Sequence, residues 1–81
     1  MLVQVAVNIL VHPLPARQRR MLLEMLAGER SGEDGLHIGP LFGRDRTADG
    51  LCDEGLASRR GGDGNPLVFT AHGRHVAERL A

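Results

Sequence analysis

Apolar and polar residues alternate in two different rhythms along this chain, and the change of rhythm divides it into elements. Val3, Val5, Val7, Ile9 and Val11 alternate with Gln4, Ala6, Asn8 and Leu10, a period of two in β-branched residues that predicts a strand over residues 1–12. Pro13 and Pro15 end it, because neither can donate to a ladder and each pushes the residue before it toward extended geometry. The rhythm then lengthens. Leu14, Met21, Leu22, Met25 and Leu26 recur at i, i+3 and i+4 spacing, with Arg17, Arg19, Arg20 and Glu24 around the rest of the barrel. This predicts a helix from Pro15 to Ala27, with Gly28 as a left-handed cap.

Glu29 to Gly35 reads as a polar loop, and Leu36-His37-Ile38 is long enough for a short strand. Gly39-Pro40 breaks that strand before Leu41-Phe42, one turn of helix at most. Arg44 to Glu54 predicts a second helix with Thr47 or Ala48, Leu51 and Cys52 turned inward and Gly55 as its cap. Leu51 and Leu56 stand either side of that glycine, so the chain can stop, reverse and insert both side chains into one core. Leu56 to Arg60 and Leu67 to Phe69 flank Gly61-Gly62-Asp63-Gly64-Asn65-Pro66, a hairpin whose loop is longer than a two-residue turn. Thr70 suits the N-cap of a last helix, Ala71 to Leu80, with Val76, Ala77 and Leu80 inward and Gly73 allowing close approach of the hairpin. Residues 1–81 form one domain, a strand over 1–12 followed by a core over 14–80.

The order helix, short strand, stub helix, helix, hairpin, helix resembles that of a winged helix-turn-helix domain. "LPARQRRMLLEMLAG" looks like its first helix. "RTADGLCDEGLA" is similar to a compact recognition helix running into the wing, and "LVFTAHGRHVAERL" to the Leu-Thr-x-x-Gly-Arg segment that closes many bacterial and phage regulators. The expected class is therefore α+β, a three-helix core with a β-hairpin wing and an additional N-terminal β-strand. The resemblance implies a small regulator of transcription, of bacterial or phage type, that binds double-stranded DNA. It places Arg44, Arg46 and Thr47 at the start of the helix offered to the major groove, and Arg59 and Arg60 at the base of the wing. Arg17, Arg19 and Arg20 of the first helix would add phosphate contacts. The N-terminal strand lies outside the resemblance. It must pair with the edge of its own sheet or with its copy in a homodimer, which would make Val3, Val5, Val7 and Ile9 dimer contacts.

Charge complicates this reading. Ten basic residues, all arginine, match ten acidic ones, so the formal charge of zero does not announce a polyanion partner. Asp45, Asp49 and Asp53 recur every four residues and form one stripe on the second helix. Exposed on a recognition face, that stripe would repel phosphate. It reads equally as a solvated face, or as a docking surface for a basic protein partner, which defines the alternative: a winged-helix interaction module that binds no DNA. Arg17 and Arg20 lie near Glu24, Arg44 and Arg46 adjoin Asp45 and Asp49, whereas Arg59 and Arg60 stand free of acids until Asp63.

Other chemistry finds little support. Two Phe and no Trp or Tyr leave too few rings for a single-stranded nucleic-acid platform. Cys52 is the one cysteine, so no intrachain disulfide forms, and Asp49, Asp53 and Glu54 nearby would raise its thiol pKa rather than activate it. His72 and His75 make a single pair, with His12, His37 and Cys52 scattered elsewhere, short of the paired ligands of a zinc site. "GGDGNP" lacks the Lys-Ser/Thr of a phosphate loop. Neither an enzyme nor a bound metal or cofactor is expected. The N-terminal apolar run is interrupted by Gln4, Asn8 and His12 and has no basic n-region, so neither a signal peptide nor a membrane span is expected, and a cytoplasmic location fits.

Overall fold

The helical rhythm that begins after Leu14 becomes α1, Ala16–Arg30, in a computed structural model that describes residues 14–39 and 43–81. Met21, Leu22, Met25 and Leu26 form its buried stripe, with Leu14 packed at the edge. The helix runs past its expected end. Gly28 stays helical, and Gly32, at φ 86°, takes the left-handed conformation instead. There Gly32 N donates to Glu29 O at 3.1 Å and Glu33 N to Gly28 O at 2.9 Å, the paired bonds that satisfy carbonyls at a helix C-terminus. Glu29 and Arg30 are good helix formers, so the helix continues to the first glycine that can close both bonds.

Helix α2, Arg44–Asp53, follows Gly43, which has φ 73°. Ala48 and Leu51 are fully buried and Cys52 is half-buried, in line with the inward face read from the sequence. The helix stops as expected at Gly55, φ 74°. Gly55 N donates to Cys52 O and Leu56 N to Leu51 O, and the turn delivers Leu51 and Leu56 side by side into the core.

Strands β1, Ala57–Arg59, and β2, Leu67–Phe69, pair antiparallel with Ala57 opposite Phe69, Ser58 opposite Val68 and Arg59 opposite Leu67. The short strand expected at Leu36–Ile38 is reduced to a single bridge, in which Leu36 and Leu67 exchange both backbone bonds at 2.9 and 2.8 Å. Beyond it, the Asn65 carboxamide stands in for a strand. Its Oδ1 accepts from Ile38 N at 2.7 Å and its Nδ2 donates to Ile38 O at 3.3 Å.

Helix α3, Ala71–Leu80, opens on Thr70, whose hydroxyl accepts from Gly73 N at 2.9 Å and donates to Gly55 O at 2.6 Å. One hydroxyl thus caps α3 and ties it to the end of α2. Gly73 lies directly under the Leu56 carbonyl, where a Cβ would collide with backbone. Ala77 is fully buried and Val76 packs against the core, but Leu80, expected inward, is 37% exposed because α3 extends beyond the core's edge.

Among the described residues the result is an α+β arrangement of three helices and a two-stranded antiparallel hairpin, in an order compatible with a winged helix. The strand expected over 1–12, with Val3, Val5, Val7 and Ile9, and the stub at Leu41-Phe42 fall outside the described residues. Among the described residues, no helix is long and apolar enough to cross a membrane.

Candidate nucleic-acid interface

Eight residues were expected to meet DNA, and the fold ties Arg44 and Arg59 into long-range ion pairs, turns Arg19 Nη1 onto Leu14 O at 2.8 Å and sets Arg60 apart from the rest. Arg44 turns back onto α1. Its Nη1 and Nη2 donate to Glu24 Oε1 and Oε2 at 3.1 and 2.9 Å, a bidentate pair that links the start of α2 to the middle of α1. The Glu24 carboxylate raises the Arg44 pKa further above its usual value, against a smaller opposing effect of burial. The local pairing with Asp45 and Asp49 that the sequence suggested is replaced by this longer one.

Thr47 is also engaged internally. Its hydroxyl donates to Gly43 O at 2.8 Å, the same carbonyl that accepts the Thr47 backbone N–H. Arg46, by contrast, is exposed and makes no ion pair among the described residues.

The largest correction concerns Arg59. Far from standing free of acids, its Nη2 donates to Asp49 Oδ1 at 2.8 Å, Asp45 Oδ1 at 2.9 Å and Asp45 O at 3.2 Å. Its Nη1 donates to Gly64 O in the hairpin loop at 3.3 Å. The Arg59 pKa is raised, first by the bond to Asp49, with burial opposing and Asp45 adding. Two of the three carboxylates of the acidic stripe are therefore paired, though both remain largely exposed, at 73% and 61%. Asp53 has no ion pair among the described residues.

Two adjoining recesses open at the N-terminal end of α2. One, of about 210 Å³, is lined by Arg17, Arg20, Met21, Glu24, Gly43, Arg44 and Thr47. The other is shallower, about 550 Å³, and lined by Arg17, Gly43, Asp45, Arg46 and Asp49. They share Arg17 and Gly43. Among the described residues Arg17, Arg20 and Arg46 form no ion pairs, so cations with free donors border both recesses. The N-terminus of α2 at this end carries the positive end of the helix dipole.

Arg60 belongs to a different groove, of about 260 Å³, between α1, the Leu36 bridge and α3. Met25, Leu67 and Phe69 line it, with Glu33 and Asp34 and the Glu29–Arg74 pair. That pair is bidentate, at 3.0 and 2.5 Å, and the Arg74 guanidinium stands 5.7 Å from the centre of the Phe69 ring. The bond from Arg74 lowers the Glu29 pKa.

The sequence reading attributed a raised Cys52 pKa to neighbouring acids. Burial is the leading cause, with Asp49 and Asp53 adding and Arg59 opposing, so the thiolate is disfavoured. Among the described residues no three His, Cys, Asp or Glu side chains gather as a metal-holding cluster. No protein-family model, curated protein or solved structure matches the chain.

Proposed function

We propose that the chain is a winged helix-turn-helix protein that binds duplex DNA, as a regulator of transcription does, through the N-terminal end of α2. The observation that carries this reading is the gathering of Arg17, Arg20 and Arg46, unpaired among the described residues, around the recesses at Gly43. Phosphate oxygens would accept from Arg17 and Arg20 on α1. Arg46, exposed on that turn, is placed to reach a guanine edge or a phosphate. Arg44 and Arg59, committed to carboxylates, act as supports rather than DNA ligands. Three helices with a hairpin beside α2 give the arrangement in which such an end can enter a groove.

A fluorescence-anisotropy titration on mixed-sequence duplex DNA tests this at low and moderate salt. Affinity falls as salt rises, Arg17→Ala and Arg20→Ala each lower the slope of log K against log salt by about 0.9, one phosphate's worth, and Arg46→Ala weakens binding. A flat titration at the lowest salt defeats the reading. The exposure of Asp45, Asp49 and Asp53 favours the second one, a docking surface for a basic protein, which such a result would leave standing.

A further inference from the structure

Arg59 closes β1, opposite Leu67, and from that position one guanidinium joins three parts of the molecule. Nη2 reaches both carboxylates and a carbonyl in the first two turns of α2, while Nη1 reaches Gly64 O across the hairpin loop. Asp45 and Asp49 are four residues apart, so they present to one side and a single arginine can hold both. The arginine side chain is only 23% exposed, and most of its donors are taken. The loop it touches is closed by Gly64 N to Gly61 O at 2.9 Å and Arg60 N to Pro66 O at 3.1 Å.

We propose that Arg59 is a positioning residue: it bolts the hairpin to α2 and cancels carboxylate charge on the helix, and it does not itself touch DNA. The proposal rests in part on the DNA-binding reading. The base of the hairpin is seated by Ala57 and Leu67 in the core and by the Leu36–Leu67 bridge, whereas Arg59 ties its loop to α2, and that bolt fixes loop and helix at one separation so that they can meet one duplex together. The same contact offsets the repulsion that Asp45 and Asp49 would exert on phosphate. At about 6 Å in water, one unit of charge changes binding by a factor of about three.

Two measurements on the full chain decide it. In the DNA-free protein, amide hydrogen exchange at Arg60 and Gly64 should rise by a factor between about 1.4 and 5 in Arg59→Gln, the range that paired surface charges contribute. Asp45→Asn combined with Asp49→Asn should speed the same amides, and adding Arg59→Gln to that pair should add little, since all three belong to one unit. In the duplex titration, Arg59→Gln should weaken binding about threefold or more while the salt slope changes by less than half of the 0.9 expected for a lost phosphate contact. Arg59→Lys, which keeps the charge but cannot span the same acceptors, should behave like Arg59→Gln in the exchange experiment. A slope lowered by about 0.9 in Arg59→Gln and restored in Arg59→Lys would make Arg59 a phosphate ligand and overturn the proposal. Unchanged exchange in Arg59→Gln would overturn the bolt even if DNA binds. Should the wild-type protein ignore DNA, the functional reading fails, and the exchange result alone still decides whether Arg59 fixes the hairpin.

Discussion

Three glycines sit inside helices, and the structure assigns each a different response to alanine. At Gly73 an added Cβ would overlap the Leu56 carbonyl oxygen and crowd its carbon and Cα, all backbone atoms at the exit of α2. Nothing there can rotate away. The Leu56 amide is held by Leu51 O and its carbonyl accepts from Thr70 N at 3.2 Å, so relief requires moving α3 away from the core that contains Ala77 and Leu56. Overpacking of this kind costs about 1 to 3 kcal/mol, and the displacement required places Gly73→Ala at the upper end. Alanine's better helix propensity returns about 1 kcal/mol, leaving a net loss of about 2 kcal/mol. Gly50→Ala meets a softer neighbour. Its Cβ would lie 2.5 Å from Gln18 Nε2, the far end of a flexible side chain whose Oε1 has no hydrogen-bond partner among the described residues. That carboxamide can swing aside, so the propensity gain survives and stability stays level or rises by up to about 1 kcal/mol. Gly28→Ala, with Glu33 Oε1 at 3.2 Å, should follow Gly50→Ala.

Thermal and urea unfolding followed by helical circular dichroism measures all three. For a domain of this size 1 kcal/mol corresponds to about 4 to 8 °C in Tm, so Gly73→Ala should melt roughly 8 to 16 °C lower and the other two at or above wild type. A Gly73→Ala protein as stable as wild type would refute the packing of Leu56 on α3, and with it the seat of the hairpin.

Thr70→Ala removes a hydroxyl that caps α3 and bonds Gly55 O, and should lower unfolding free energy by about 1 kcal/mol in the same urea experiment. Cys52, its thiol pKa raised chiefly by burial, should react with iodoacetamide at pH 7.5 more slowly in the folded protein than in urea, and equal rates would contradict its placement. Glu29 ionises below the ordinary glutamate range because Arg74 bonds its carboxylate. Its contribution to stability is thus present above the unfolded pKa and lost as pH falls through the folded one, which carboxyl NMR titration should show as a depressed midpoint that returns toward normal in Arg74→Gln.

What could be read from the sequence was what the backbone decides locally. Gly55 ends α2 because a left-handed residue between two leucines can be filled there without strain, and Thr70 opens α3 because a hydroxyl can reach an amide three residues on. Both signals lie within one turn of the chain. Gly28 misled because more than one glycine was within reach of the helix end, and only hydrogen bonding at Gly32 distinguishes them. The Asn65 carboxamide that completes the Leu36–Ile38 edge had no local signature, since its partner is 27 residues away.

The charged residues show most clearly why the candidate site was less legible than the fold. Arg44 finds Glu24 across 20 residues, Arg59 finds Asp49 and Asp45 across 10 and 14, and Arg74 finds Glu29 across 45. Periodicity tells which face of an element turns inward, but a long guanidinium chooses its partner by where the folded elements come to rest. A formal charge of zero therefore does not tell how the charges are distributed over the folded surface. Folding pairs Glu24 with Arg44 and both Asp45 and Asp49 with the one Arg59, and leaves Arg17, Arg20 and Arg46 near them without ion-pair partners among the described residues. In the groove that holds Arg60 it pairs Arg74 with Glu29, with Glu33 and Asp34 lining the same groove. Which arginines stand without a partner is thus decided by tertiary pairing, in which Arg44 and Arg59 turn onto acids of α1 and α2 instead of reaching outward.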